Sequence, residues 1–106
     1  MPFKFKQAFD TTNAALTAAP DNAEATFSAR SRLGDGVDSR VAIRQFEVAV
    51  DEPQALGGTD TAPNPVEYIL AALGSCQEIT YRLYADALGI PVNGVSVRLD
   101  GTIDLR

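Results

Sequence analysis

The sequence predicts an α+β fold, and three observations carry that expectation. Two runs of alternating hydrophobicity, 25–33 and 40–52, flank a turn built from Gly, Asp and Ser. A helix-start signal at Asn64-Pro65-Val66-Glu67 opens a long helical pattern, closed by Gly89 and Pro91. A further alternating run begins at Val95. With 106 residues, 45% of them hydrophobic, the chain reads as one globular domain, 1–106.

The elements follow in chain order. Residues 1–20 form an N-terminal arm or a short helix. Phe9, Ala14 and Leu16 give a weak helical pattern that Pro20 ends. In ATFSARSRL, Ala25, Phe27 and Ala29 face one way while Thr26, Ser28 and Arg30 face the other, which reads as a strand. GDGVDS is the turn. RVAIRQFEVAVDE then alternates through Val41, Ile43, Val48 and Val50, and the two strands form an antiparallel hairpin. The frame slips at Gln45 and Phe46, which predicts a bulge or bend. PQALGGTDTAPNP holds three prolines and two glycines in 13 residues and is a loop.

The next helix is specified at both ends. Asn64 caps free N–H groups, Pro65 occupies the first helical position, and Glu67 at N3 closes a capping box. From Pro65 to Leu88 an unbroken helix is about 36 Å long at about 1.5 Å per residue. Gly74-Ser75 is the place where it could kink. Beyond it, Val95, Val97 and Leu99 point inward and Ser96, Arg98 and Asp100 outward. That is a strand, or two short ones around Asp100-Gly101.

Composition removes whole classes of chemistry. The chain has no histidine, so no Ser-His-Asp or Cys-His arrangement can form within it. One cysteine without histidine provides no zinc site of the usual kind, and neither a metal nor a cofactor is expected. The net charge of −5, with nine scattered basic residues, argues against nucleic acid. No apolar run spans a bilayer and no secretory signal opens the chain. A cytoplasmic protein without a membrane partner is the expectation.

The lone Cys76 is either a nucleophile or a small apolar residue. Val66, Ile69, Leu73, Cys76, Thr80, Leu83 and Ala87 recur at steps of three and four and share one helix face. That face should meet the core or a partner, and free cysteine is often buried as a small hydrophobe. The opposite face carries Glu67, Ala71, Gly74 or Ser75, Glu78 and Arg82, and reads as solvated. Its small residues would let another element approach closely. Glu67 lies nine residues before Cys76, on the other side of a straight helix. It can serve Cys76 only after a kink or across a subunit boundary, so capping is its first role.

The run from DEPQALGGTDTAPNPVEYILAALGSC to VRLDGTIDLR resembles the OsmC/Ohr family, over about Arg40 to Arg106. The combination of the LGG loop with NP-x-E-x-x-L-A-A-L-x-x-C is the specific part. The resemblance implies an intertwined homodimer in which antiparallel sheets wrap around long central cysteine-bearing helices. It also implies peroxiredoxin-like reduction of organic hydroperoxides, in stress defence. A cysteine at the position of Cys76 would attack the peroxide, with an arginine and a glutamate holding thiolate and substrate. A small apolar hydroperoxide and an external thiol reductant are then the implied partners. For the arginine, Arg30 or Arg32 is the nearest candidate. For the glutamate, Glu67 is displaced by one residue from the family position, which holds Val66 here. The family's resolving cysteine lies in a later helix, and this sequence has none, so the C-terminal part of the family fold is expected to be absent. Two rival readings remain: a non-catalytic module holding an apolar small molecule in a dimer cavity, and a cysteine redox sensor.

Overall fold

A computed structural model describes residues 5–106; the first four residues of the expected N-terminal arm lie outside them. It is an α+β structure of two helices and one three-stranded antiparallel sheet. The chain divides into two compact units. One holds residues 26–72; the other holds residues 73–106 and the N-terminal part up to Ala25. No helix among the described residues is long and apolar enough to cross a membrane.

The sheet belongs to the first unit. Strands β1 (Arg30–Leu33), β2 (Ser39–Ile43) and β3 (Phe46–Val50) form a meander in the order β1-β2-β3. The expected first strand is shorter than its alternating pattern: the ladder starts at Arg30 opposite Ala42, and residues 25–29 have no strand partner among the described residues. The β1–β2 turn is closed by the Gly34 N–H on the Asp38 carbonyl at 2.8 Å. Asp38 Oδ1 also accepts the Gly36 N–H at 3.2 Å. Short acceptors of this kind are why Asp favours turns.

The frame slip near Gln45 is not a bulge. The chain reverses there through Arg44-Gln45, and Ile43 pairs with Phe46 directly across the turn. Arg44 takes the left-handed conformation, φ 53°, which costs a non-glycine residue about 1 kcal/mol. Its guanidinium lies 5.1 Å from the Phe46 ring centroid, and such an exposed contact offsets about half of that cost. Val41 opposes Val48 in the register, and both are half-buried.

Helix α1 spans Phe5–Ala18. Phe5 and Phe9, one turn apart, place their rings 5.4 Å apart. Asp86 Oδ2 accepts the Lys6 backbone N–H at 2.7 Å, satisfying a donor that a helix start leaves open. A short 3₁₀ turn, Pro20–Ala23, follows.

Helix α2 (Pro65–Ala87) runs through Gly74-Ser75 without interruption. Its start is the expected capping box. The Glu67 N–H donates to Asn64 Oδ1 at 2.9 Å, and the Asn64 N–H donates to Glu67 Oε1 at 3.0 Å. Its end is a Schellman motif. Gly89 sits at φ 69°, Ile90 N–H reaches the Ala85 carbonyl at 2.8 Å, and Gly89 N–H reaches Asp86 at 3.2 Å. Pro91 follows at once.

The expected C-terminal strand carries no ladder: residues 93–106 form no strand pairing among the described residues. Its alternation survives as burial. Val95, Val97 and Leu99 are half-buried while Ser96, Arg98 and Asp100 are exposed. Leu99 packs on α2 at Gly74, where a Cβ would come within 2.7 Å of its Cδ1. So the small-residue face of α2 is the covered one, with Gly74 and Ala85 buried and Glu78 and Arg82 half-buried. The apolar stripe of Ile69, Leu73 and Cys76 is exposed. No ion pair joins Glu78 to Arg82 among the described residues.

Candidate functional site

In the second unit, α2 presents Cys76 to solvent. The residue borders an open groove of about 360 Å³ with Gln77, Thr80, Tyr81 and Tyr84. The positions follow from helix geometry. Cys76, Thr80 and Tyr84 are successive i+4 neighbours, and Gln77 and Tyr81 stand beside them. The two tyrosine rings make the walls apolar, and among the described residues no charged side chain lines the groove. A second groove, of about 430 Å³, is lined by the same two tyrosines with Leu88, Ile90, Val92 and Val95. The thiol therefore stands at one end of an apolar track on the helix. A cation to favour its thiolate must come from outside these lining residues.

The remaining sequence candidates belong to the first unit. Arg30 and Arg32 lie on β1, two residues apart and so on one face of the strand. Both are exposed, and neither is ion-paired among the described residues. Arg32 faces Arg40 across the ladder, and Arg40 turns to Glu47 at 3.4 Å. Glu67 is exposed, with Oε1 engaged in the capping box.

A feature that residue patterns did not single out organises the loop before α2. Asp51, at the end of β3, is 1% exposed. Its Oδ2 accepts the hydroxyls of Thr59 and Thr61, each at 2.7 Å, and their backbone N–H groups at 3.3 and 3.1 Å. Its Oδ1 accepts the Glu52 N–H at 2.8 Å. The Thr59 and Thr61 hydroxyls, then the Glu52 and Thr61 N–H groups, hold this carboxyl far below the usual carboxylate range, against the opposing effect of burial. The backbone closes the same loop, from Asp51 N–H to the Pro63 carbonyl at 3.1 Å and from Asp60 N–H to Glu52 at 3.0 Å. The signal was present in TDT: two hydroxyl residues at i, i+2 after a glycine pair can converge on one acceptor.

Gly58 is fixed by this packing. A Cβ there would overlap the Glu52 carbonyl and come within 2.8 Å of Asp51 Oδ1. The obstacle is backbone, which cannot swing aside. Gly58→Ala is expected to destabilise the fold by about 3 kcal/mol, read from a urea titration. A midpoint equal to wild type would show that the loop yields freely.

Residues 58–106 match the family model for OsmC-like protein. The match opens at Gly58, inside the Asp51 loop, and takes in all of α2 and the segment beyond it. No curated protein matches the chain at a significant level.

Proposed function

With residues 58–106 forming an OsmC-like domain, we propose that the chain reduces organic hydroperoxides with Cys76, using an external thiol as reductant. The observation that carries this reading is the exposed thiol at the end of an apolar groove on the OsmC-like helix. An exposed thiol argues against simple core filling, and Tyr81 and Tyr84 favour an alkyl chain over hydrogen peroxide. The OsmC/Ohr family includes peroxide-reducing proteins, which supports the same chemistry.

The Cys76 thiolate attacks the terminal oxygen of R–O–OH. An S–O bond forms as the O–O bond breaks, and the departing alkoxide takes a proton to become the alcohol. Sulfur gains one oxygen and becomes a sulfenic acid, the first and reversible oxidation step. One external thiol condenses with it, releasing water and leaving a mixed disulfide. A second external thiol then frees Cys76 and leaves with the first as their disulfide. Because the sequence holds no second cysteine, both thiols come from outside the chain.

The chain acts in this reading as a single OsmC-like domain within an intertwined homodimer whose sheets wrap the paired helices. The boundary between copies lets Glu67 and one of Arg30 and Arg32 serve Cys76: the arginine favours the thiolate and the glutamate orients the peroxide.

The test is intact-mass analysis of reduced protein after brief exposure to an alkyl hydroperoxide, with hydrogen peroxide as comparison. Wild type is expected to gain one oxygen faster with the alkyl substrate, and Cys76→Ser to gain none. Oxidation no faster than that of a small-molecule thiol would remove the reading and leave an apolar binding module. A single oxidation that external thiols do not reverse would favour a redox sensor instead.

A further inference from the structure

Asp51 takes no part in the reaction proposed above, yet it is the one charged side chain buried among the described residues. Burying a carboxylate is costly unless every lone pair is matched, and a packed apolar residue would hold a loop as well or better. A buried charge with five donors instead fixes a geometry, because each donor has one direction from which it can approach. That geometry leads to the start of α2. Thr59 and Thr61 are held on Asp51 Oδ2, and two residues later the Pro63 carbonyl is held on the Asp51 N–H. The next residue is Asn64, half of the capping box with Glu67. One residue past Glu67, the Tyr68 hydroxyl donates to the Ala49 carbonyl of β3 at 2.6 Å. The end of β3 and the first turn of α2 are thus joined on both sides of Glu67.

We propose that Asp51 is a positioning residue: through Thr59, Thr61 and the Pro63 carbonyl it sets the helix start and so the place of the Glu67 carboxylate. In its functional consequence the proposal rests on the hydroperoxide reading, since only there does Glu67 touch substrate. Such positioning matters because a displacement of about 1 Å at a reacting group can cost about a hundredfold in rate.

The test keeps Asp51 and removes only its hydroxyl donors. The full chain is compared with a Thr59→Val, Thr61→Val pair and a Thr59→Ser, Thr61→Ser pair. The valines keep shape and lose the bonds; the serines keep the bonds. The valine pair is expected to slow Cys76 oxidation by an alkyl hydroperoxide by about tenfold or more. Alkylation of Cys76 by iodoacetamide should stay within about twofold, and the serine pair should match wild type in both. Unslowed oxidation in the valine pair overturns the proposal. So does a serine pair as slow as the valine pair, because the hydrogen bonds would then be irrelevant. Should wild-type Cys76 show no preference for the alkyl hydroperoxide, the hydroperoxide reading falls, and hydrogen exchange at the Glu67 amide decides the positioning alone. That amide donates to Asn64 Oδ1. Its exchange should quicken by about tenfold in the valine pair and not in the serine pair; unchanged exchange overturns the proposal.

Discussion

Replacing Asp51 by Asn is expected to lower the melting temperature by on the order of 10 °C. The amide keeps the shape of the carboxylate but only one acceptor oxygen. Its NH₂ would point at donors that now have no acceptor: the Thr59 and Thr61 hydroxyls and N–H groups on one side, or the Glu52 N–H on the other. The pH dependence gives a second reading with a definite sign. The folded carboxyl titrates well below its ordinary value of 3.8. Its contribution is therefore fully present above that value and is lost as pH falls through and below it, where the unfolded chain binds a proton that the folded chain refuses. The gap in melting temperature between wild type and Asp51→Asn should be wide at neutral pH and should narrow near about pH 3. A gap that stays constant across this range would show that the carboxylate's charge does not stabilise the loop.

What the sequence revealed and what it hid follow from the range of the interactions involved. The two ends of α2 rest on contacts three to five residues apart, Asn64 with Glu67 and Ile90 with Ala85, so local spelling specified them. The turn at Arg44-Gln45 has none of the Gly, Asn or Asp that mark a tight hairpin, and a left-handed arginine gives no sequence signal. The C-terminal run shows the limit of periodicity. Alternation at Val95, Val97 and Leu99 fixed which side chains face inward, but a strand also needs an edge to pair with, and that is not a property of the segment. The covered face of α2 was read the other way round for a related reason. Hydropathy ranks Leu73 and Ile79 above Gly74 and Ala85, yet close approach by Leu99 selects the face without bulk. At the candidate site, Cys76, Glu67, Arg30 and Arg32 came from type and spacing. Asp51 did not, since its burial depends on donors eight and ten residues away folding back.

Ile79→Glu is expected to weaken self-association by about a hundredfold or more, seen as a shift from dimer to monomer in sedimentation at micromolar concentration. The reason lies in what the chain leaves uncovered. Hydrophobic residues make up 45% of the sequence, but among the described residues Ala85 is the only buried hydrophobic side chain. On α2 Leu73, Ile79, Tyr81 and Tyr84, with Leu88 just past its end, are between 48% and 69% exposed. Full burial of each would contribute about 2 kcal/mol, so leaving all of them in water is a large loss for a small protein of marginal stability. These side chains spread over more than half of the helix circumference. A second copy laid against the Ile69, Leu73 and Cys76 stripe with Ile79 at its margin, as the dimer reading requires, would recover part of that loss and would border the groove beside Cys76. Ile79 stands 58% exposed beside Leu83 and Val95. A glutamate there would carry a charge into the contact, and Arg82, three residues on in the same groove, would offset only part of the desolvation cost. Because Ile79 is outside the lining of the Cys76 groove, its loss acts on association first. A wild-type protein that sediments as a monomer, or a variant that stays dimeric, would move the partner of this face away from a second copy of the chain.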